Sequence, residues 1–173
     1  MKSKFWKAVF SVLLFSYAMA IVGPYEYAGL SAAVLVMLLA GVSMGPLCSI
    51  LSVAVYLLAG LWFPVYINGG CGAGALFGAH GGFLLVLLPC VLVISALIKG
   101  LKKHPLLALL LGLAIAFLLY FAFGILWYVI STGSSLVGVL SKGWGGISLL
   151  FLLNCVLAFF VSGPLKRAVR SVK

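Results

Sequence analysis

The chain has 173 residues, of which 66% are hydrophobic and 7% charged, with a mean hydropathy of +1.38. A soluble domain carries about 25% charged residues, so a soluble fold, a disordered chain and a secreted disulfide scaffold are excluded and an integral membrane protein remains. The formal net charge is +10, with Glu26 as the single acidic residue and no Asp, which excludes paired-carboxylate acid–base chemistry, carboxylate metal cages and Asp-based triads.

A helix needs about 20 mostly apolar residues to cross a bilayer. Six spans, at residues 5–22, 28–45, 47–65, 82–98, 105–130 and 145–163, fill the chain as one all-α domain over 1–173. The first span has a competing reading: Lys2 to Lys7, an apolar run and Ala18-Met19-Ala20 match a cleavable leader. The run continues through Ile21-Val22 to a Gly23-Pro24 turn, which favours a retained span. Glu26, between Tyr25 and Tyr27, then sits at the membrane boundary, where it either lines a pocket or belongs to an aromatic anchor.

Gly45-Pro46 predicts a tight turn that makes spans 2 and 3 a helical hairpin. Residues 66–83 follow, with Gly69, Gly70, Gly72, Gly74, Gly78, Gly81 and Gly82. A plain helix is not expected there, and non-helical backbone at membrane depth survives only where protein buries it or it lines a cavity. The expectation is a re-entrant external loop walling a pocket, with Asn68 and His80 as polar handles; the alternatives are a flexible linker or close helix packing. Pro89 predicts a kink in span 4. Tyr120, Phe123, Trp127 and Tyr128 share a face near the end of span 5, either as packing or as a ligand box. Asn154 places a polar group in span 6, where such residues face the bundle interior.

With both termini cytoplasmic, ten of the eleven Lys and Arg residues fall inside: Lys2, Lys4, Lys7, Lys99, Lys102, Lys103, Lys166, Arg167, Arg170 and Lys173. Only Lys142 falls outside, so the basic charge reads as topology and not as affinity for nucleic acid. Cys48, Cys71, Cys90 and Cys155 show no CxxC spacing, and His80 and His104 have no partners at metal spacing. No Ser sits in a His/Asp arrangement and no GxxxxGK[ST] pattern occurs. No enzyme activity, cofactor or metal is expected, and any ATP hydrolysis would belong to another chain.

Across residues 45–83 the motifs Gly45-Pro46-Leu47, Leu51-Ser52-Val53-Ala54-Val55-Tyr56-Leu57-Leu58-Ala59-Gly60, Pro64-Val65-Tyr66 and Gly78-Ala79-His80-Gly81-Gly82-Phe83 resemble BioY, the biotin-binding substrate-specificity (S) component of energy-coupling-factor (ECF) transporters. Weaker similarity covers most of the chain, including Leu38-Leu39-Ala40-Gly41 and the Tyr120, Gly124, Trp127 pattern. The resemblance implies a six-helix S component in the bacterial cytoplasmic membrane, with a biotin pocket open to the outside. It implies partnership with a membrane T subunit and two ATPase subunits, or solitary action. Ser16 and Ala20 are a partial match to the family's small-residue docking motif.

Three departures stand out: Ala33 replaces a family glutamine, His80 replaces a threonine, and a span 6 Asp/Lys pair falls on Ser148 and Phe151 or on Phe151 and Asn154. Under this resemblance Glu26, Asn68, His80 and Asn154 are expected to rebuild the polar end of the site. Tyr66, Tyr120 and Trp127 would pack the ligand rings, and Gly69 and Gly70 would offer backbone. The rival readings are a carrier for another small vitamin-like ligand and a ligand-free membrane scaffold.

Overall fold

The computed structural model describes residues 2–22, 26–27, 30–66, 69–141 and 152–161. Helix α1 (Lys2–Val22) is followed by a two-residue antiparallel ladder of β1 (Glu26–Tyr27) and β2 (Leu30–Ser31), in which Glu26 pairs with Ser31 and Tyr27 with Leu30. Helix α2 (Ala32–Ser43) therefore starts later than the expected residue 28, because Leu30 and Ser31 pair with the incoming strand instead of entering the helix.

Met44 and Gly45 join α2 to α3 (Pro46–Ala59), with Pro46 in the first turn, where its missing N–H costs no hydrogen bond. The expected tight turn joins the two helices and is stitched by Ser49 Oγ, which donates to Ala40 O at 3.1 Å. Helix α3 ends at Ala59, short of the expected residue 65. Two tyrosines close that end: Tyr56 Oη donates to Val65 O at 3.3 Å, and Tyr66 Oη donates to Leu57 O.

The glycine-rich stretch is not one loop. It contains α4 (Gly72–Phe77) and leads directly into α5 (Gly81–Leu85). Helix α5 passes through Val86 into α6 (Leu87–Gly100). Only Val86 separates the two, and Val86 N–H to Gly82 O at 3.0 Å and Cys90 N–H to Val86 O at 3.1 Å carry the ladder across it, so Gly81–Gly100 is one membrane-length helix. Pro89 has no N–H for the carbonyl of Leu85 and its ring crowds that carbonyl, so the ladder loses that one bond, one turn upstream.

Leu101 to His104 link α6 to α7 (Pro105–Thr132), which Gly133 stops in the left-handed region at φ 65°. The segment expected as a loop from Ser131 to Gly143 instead contains α8 (Leu136–Ser141). Of the last expected span, 145–163, the described part is α9 (Leu152–Val161). Lys142 and the basic residues from Lys166 onward lie outside the described residues.

Phe5–Val22, Gly81–Gly100 and Pro105–Thr132 are long and apolar enough to cross a membrane, whereas α2, α3 and α9 are apolar but shorter. The surface matches a hydrocarbon solvent: Leu47, Trp62, Ile130 and Phe160 are each 70% or more exposed. The core joins Met19 of α1, Met37 and Leu38 of α2, Val53 and Tyr56 of α3, Cys90 and Ile94 of α6, Ala116 of α7 and Ala158 of α9.

Such helices are apolar on every side, so residue size decides which face packs inward. On α7 the small residues Ala108, Gly112, Ala116 and Gly124 are buried at fourfold spacing, in line with Tyr120 and beside the buried Leu109 and Leu113; such small residues bring membrane helices close. At Gly112 an added Cβ would lie 3.3 Å from the Cα of Ile94. Ser16, Ser49, Ser52 and Ser95 are buried, and each returns a hydrogen bond to the carbonyl four residues back. The single Ser16 hydroxyl proton is shared between Val12 O and Ser52 O, the latter at 2.9 Å, which ties α1 to α3.

Candidate functional site

The glycine-rich segment begins at Tyr66, whose buried ring lies on Gly60. A Cβ at Gly60 would sit 2.1 Å from that ring, so this seat requires glycine. The chain then turns back on itself, with Gly69 N–H donating to Tyr66 O at 3.0 Å and Tyr66 N–H to Gly70 O at 3.1 Å. Gly69 has φ 73°, and nothing stands within 4 Å of the position a Cβ would take there. Gly72 N–H donates to Gly60 O at 2.8 Å and fixes the start of α4.

The other end of the segment rests on α7. Phe83 of α5 lies on Gly124, where an added Cβ would meet its ring at 2.1 Å. In return Trp127 lies on Gly82, where an added Cβ would be 2.3 Å from the Trp127 Cβ. Each helix thus presents an aromatic ring to a glycine of the other. Trp127 Nε1 donates to Gly78 O at 3.0 Å. Tyr120 packs on Phe83 with ring centroids 5.2 Å apart, and His80 lies against Tyr128 at 5.6 Å.

The structure therefore gathers three of the expected site residues, His80, Tyr120 and Trp127, around the α5–α7 contact. Tyr66, Gly69 and Gly70 stand at the opposite end of the same segment. Asn154 is buried in α9, 3% exposed, and Cys155 beside it is half-buried. Glu26 is placed by its backbone in β1, and Asn68 lies outside the described residues. His80 is exposed at the entry to α5. Burial raises the Tyr66 hydroxyl above its usual value of 10.0, so it stays protonated as a donor.

Sequence reasoning named Gly82, Phe83, Gly124 and Tyr128 in motifs or on a helix face but did not pair them across α5 and α7. The signal was present as a glycine next to an aromatic on α5, facing a glycine three residues before a tryptophan on α7. It becomes readable only once the two helices are known to touch. Among the described residues no group of three or more His, Cys, Asp or Glu is placed to hold a metal ion.

A separate groove of about 580 Å³ runs between α7 and α9, lined by Leu110, Leu113, Phe117, Leu152, Cys155 and Phe159 among others. It is apolar and holds none of the expected site residues. A polar ligand would lose its hydrogen bonds to water there without replacement, so the glycine-rich segment is the better candidate.

The BioY family model matches residues 2–171. The chain belongs to the BioY family. Among solved structures, one described as the crystal structure at 2.1 Å of the S-component for biotin from an ECF-type ABC transporter superposes with a TM-score of 0.80. The two chains are 19% identical, and the match covers 98% of this chain and 94% of the other. At that identity the likeness establishes the fold: this BioY-family chain has the architecture of an S component. No curated protein sequence matches it. The chain is a multi-pass membrane protein of a transporter family rather than of an enzyme family.

Proposed function

We propose that this protein captures biotin in a membrane-embedded pocket and serves as the substrate-binding component of biotin uptake. The observation that carries this is the family match over residues 2–171, and the fold it shares with a biotin S-component agrees with it. In this reading the chain is a single domain of six spans in the bacterial cytoplasmic membrane, with both termini inside and the glycine-rich segment outside. It works with a membrane T subunit and two ATPase subunits.

The glycine-rich segment and α7 wall the pocket. Tyr66, Tyr120 and Trp127 supply its apolar sides, and Gly69 and Gly70 offer backbone groups. Glu26, Asn68, His80 and Asn154 supply its polar end, replacing the Asp that the chain lacks altogether. Asn can donate and accept at once, which suits a ureido ring, and Glu26 adds an anionic acceptor.

Equilibrium binding to the detergent-purified chain tests this, with biotin as ligand and dethiobiotin, lipoate, thiamine and riboflavin as competitors. Saturable, biotin-selective binding is expected. Glu26→Gln should weaken it about tenfold, the difference between a charged and a neutral hydrogen bond. If neither Glu26→Gln nor Asn68→Ala changes affinity, the polar assignment is wrong. The missing Asp favours one second reading, a carrier for another small vitamin-like molecule. A well-folded sample that ignores biotin but binds a competitor would establish it.

A further inference from the structure

The glycine-rich segment is tied down at both ends and open between them. Its first tie is the seat of Tyr66 on Gly60, together with the bond from Gly72 N–H to Gly60 O. Its second is α7, where Trp127 holds Gly78 O by hydrogen bond and Gly82 by contact, and Tyr128 lies against His80. Between the ties, Cys71, Ala73, Gly74 and Phe77 are exposed. A six-residue helix such as α4 cannot hold itself together in isolation. Its position therefore depends on the ties.

We propose that Trp127 is a positioning residue: its indole N–H pins the turn from Gly78 to His80 against α7 and so fixes the wall of the ligand site. This rests on the reading above, that the segment walls the pocket, but it assigns Trp127 a different part from packing on the ligand. The geometry is specific. The indole is half-buried and stacks on Phe123 at 6.3 Å with 22° between planes. Its Cβ fills the space that Gly82 leaves, so ring and N–H have little freedom to swing away from Gly78 O. That carbonyl, at the C-cap of α4, also accepts from Gly81 N–H at 3.0 Å within its own turn, so the indole N–H is the bond that ties the turn to α7. Removing the indole N–H leaves the Gly81 bond within the turn and takes away the bond to α7, a loss of about one hydrogen bond.

The test is Trp127→Phe in the full-length protein, which keeps an aromatic ring and removes the donor. A second variant carries 3-benzothienylalanine at position 127, an isostere of Trp without the N–H, and serves where the phenylalanine form does not fold. Hydrogen exchange by mass spectrometry should show amides 72–82 exchanging about five- to tenfold faster, the effect of one hydrogen bond, with the rest of the chain unchanged. Biotin dissociation should accelerate by a similar factor, with little change in Tm.

Unchanged exchange over 72–82 in both variants overturns the proposal. So does faster exchange spread over the whole chain with a fall in Tm, which is a general packing role. Faster local exchange with unchanged biotin dissociation overturns the positioning role. If the wild-type chain binds no biotin, the ligand reading fails, and the exchange measurement decides by itself whether Trp127 pins the turn.

Discussion

Gly124 and Phe83 form the smallest unit of the contact on which the proposed site rests. An added Cβ at Gly124 would approach the Phe83 ring to 2.1 Å, and that ring is already held against Tyr120 at 5.2 Å. The Phe83 ring is buried, so it has little open space into which to yield. Gly124→Ala is therefore expected to destabilise the protein by about 1–3 kcal/mol, the usual range for overpacking, read as a lower Tm in detergent. Gly74→Ala is the matching control, since nothing stands within 4 Å of the position its Cβ would take. At this scale the sequence was only partly legible. Glycine density marked the segment, but seven glycines in a row of eighteen residues do not say which of them touch anything. Gly60, outside the dense stretch, makes one of the closest approaches.

At the scale of elements, α7 carries the clearest lesson. Its 28 residues are apolar on all sides, so hydrophobic periodicity does not reveal which face packs inward. The small residues Ala108, Gly112, Ala116 and Gly124, all buried, mark it better. Ala116→Leu, at a position with 0% exposure, is expected to cost about 1–3 kcal/mol by overpacking. Leu118→Ala, at a position 64% exposed, is expected to change stability by less than about 0.5 kcal/mol, as surface substitutions do. Thermal melts of the two variants in one detergent check the contrast, and equal losses would show that these small residues do not mark the packing face.

The interruption of the helix one turn before Pro89 was legible because proline acts through its own backbone. The boundaries around α2, α4 and α8 were not. In α2 a strand pairing captures Leu30 and Ser31. In α4 and α8 short helices form inside segments whose glycine and serine content predicts loops. The partners that capture Leu30 and Ser31 lie only three and five residues away, whereas α4 is anchored by the bond from Gly72 N–H to Gly60 O.

For the whole molecule, the proposed topology makes a direct prediction. Cys71 is exposed in the glycine-rich segment, and Lys102 is exposed in the link between α6 and α7. In intact cells a membrane-impermeant maleimide should label Cys71 from outside. In a Cys71→Ser background, a cysteine placed by Lys102→Cys should be labelled only after the membrane is opened. Reversed accessibility would overturn the orientation.

Composition and charge placement by themselves determined that this chain lives in a membrane, because hydrocarbon admits few charges and the sequence confines them to short breaks. The motifs from Gly45 to Phe83 determined the family, because they retain its turn and glycine pattern. Which faces touch protein and which touch lipid was decided only by the tertiary structure. So was the pairing of Trp127 with Gly78 and Gly82 across 49 and 45 residues of sequence. The physical reason is the same for both. Where every surface is apolar, burial leaves no trace in hydropathy, and only the fit of one side chain against one backbone distinguishes a contact from a surface.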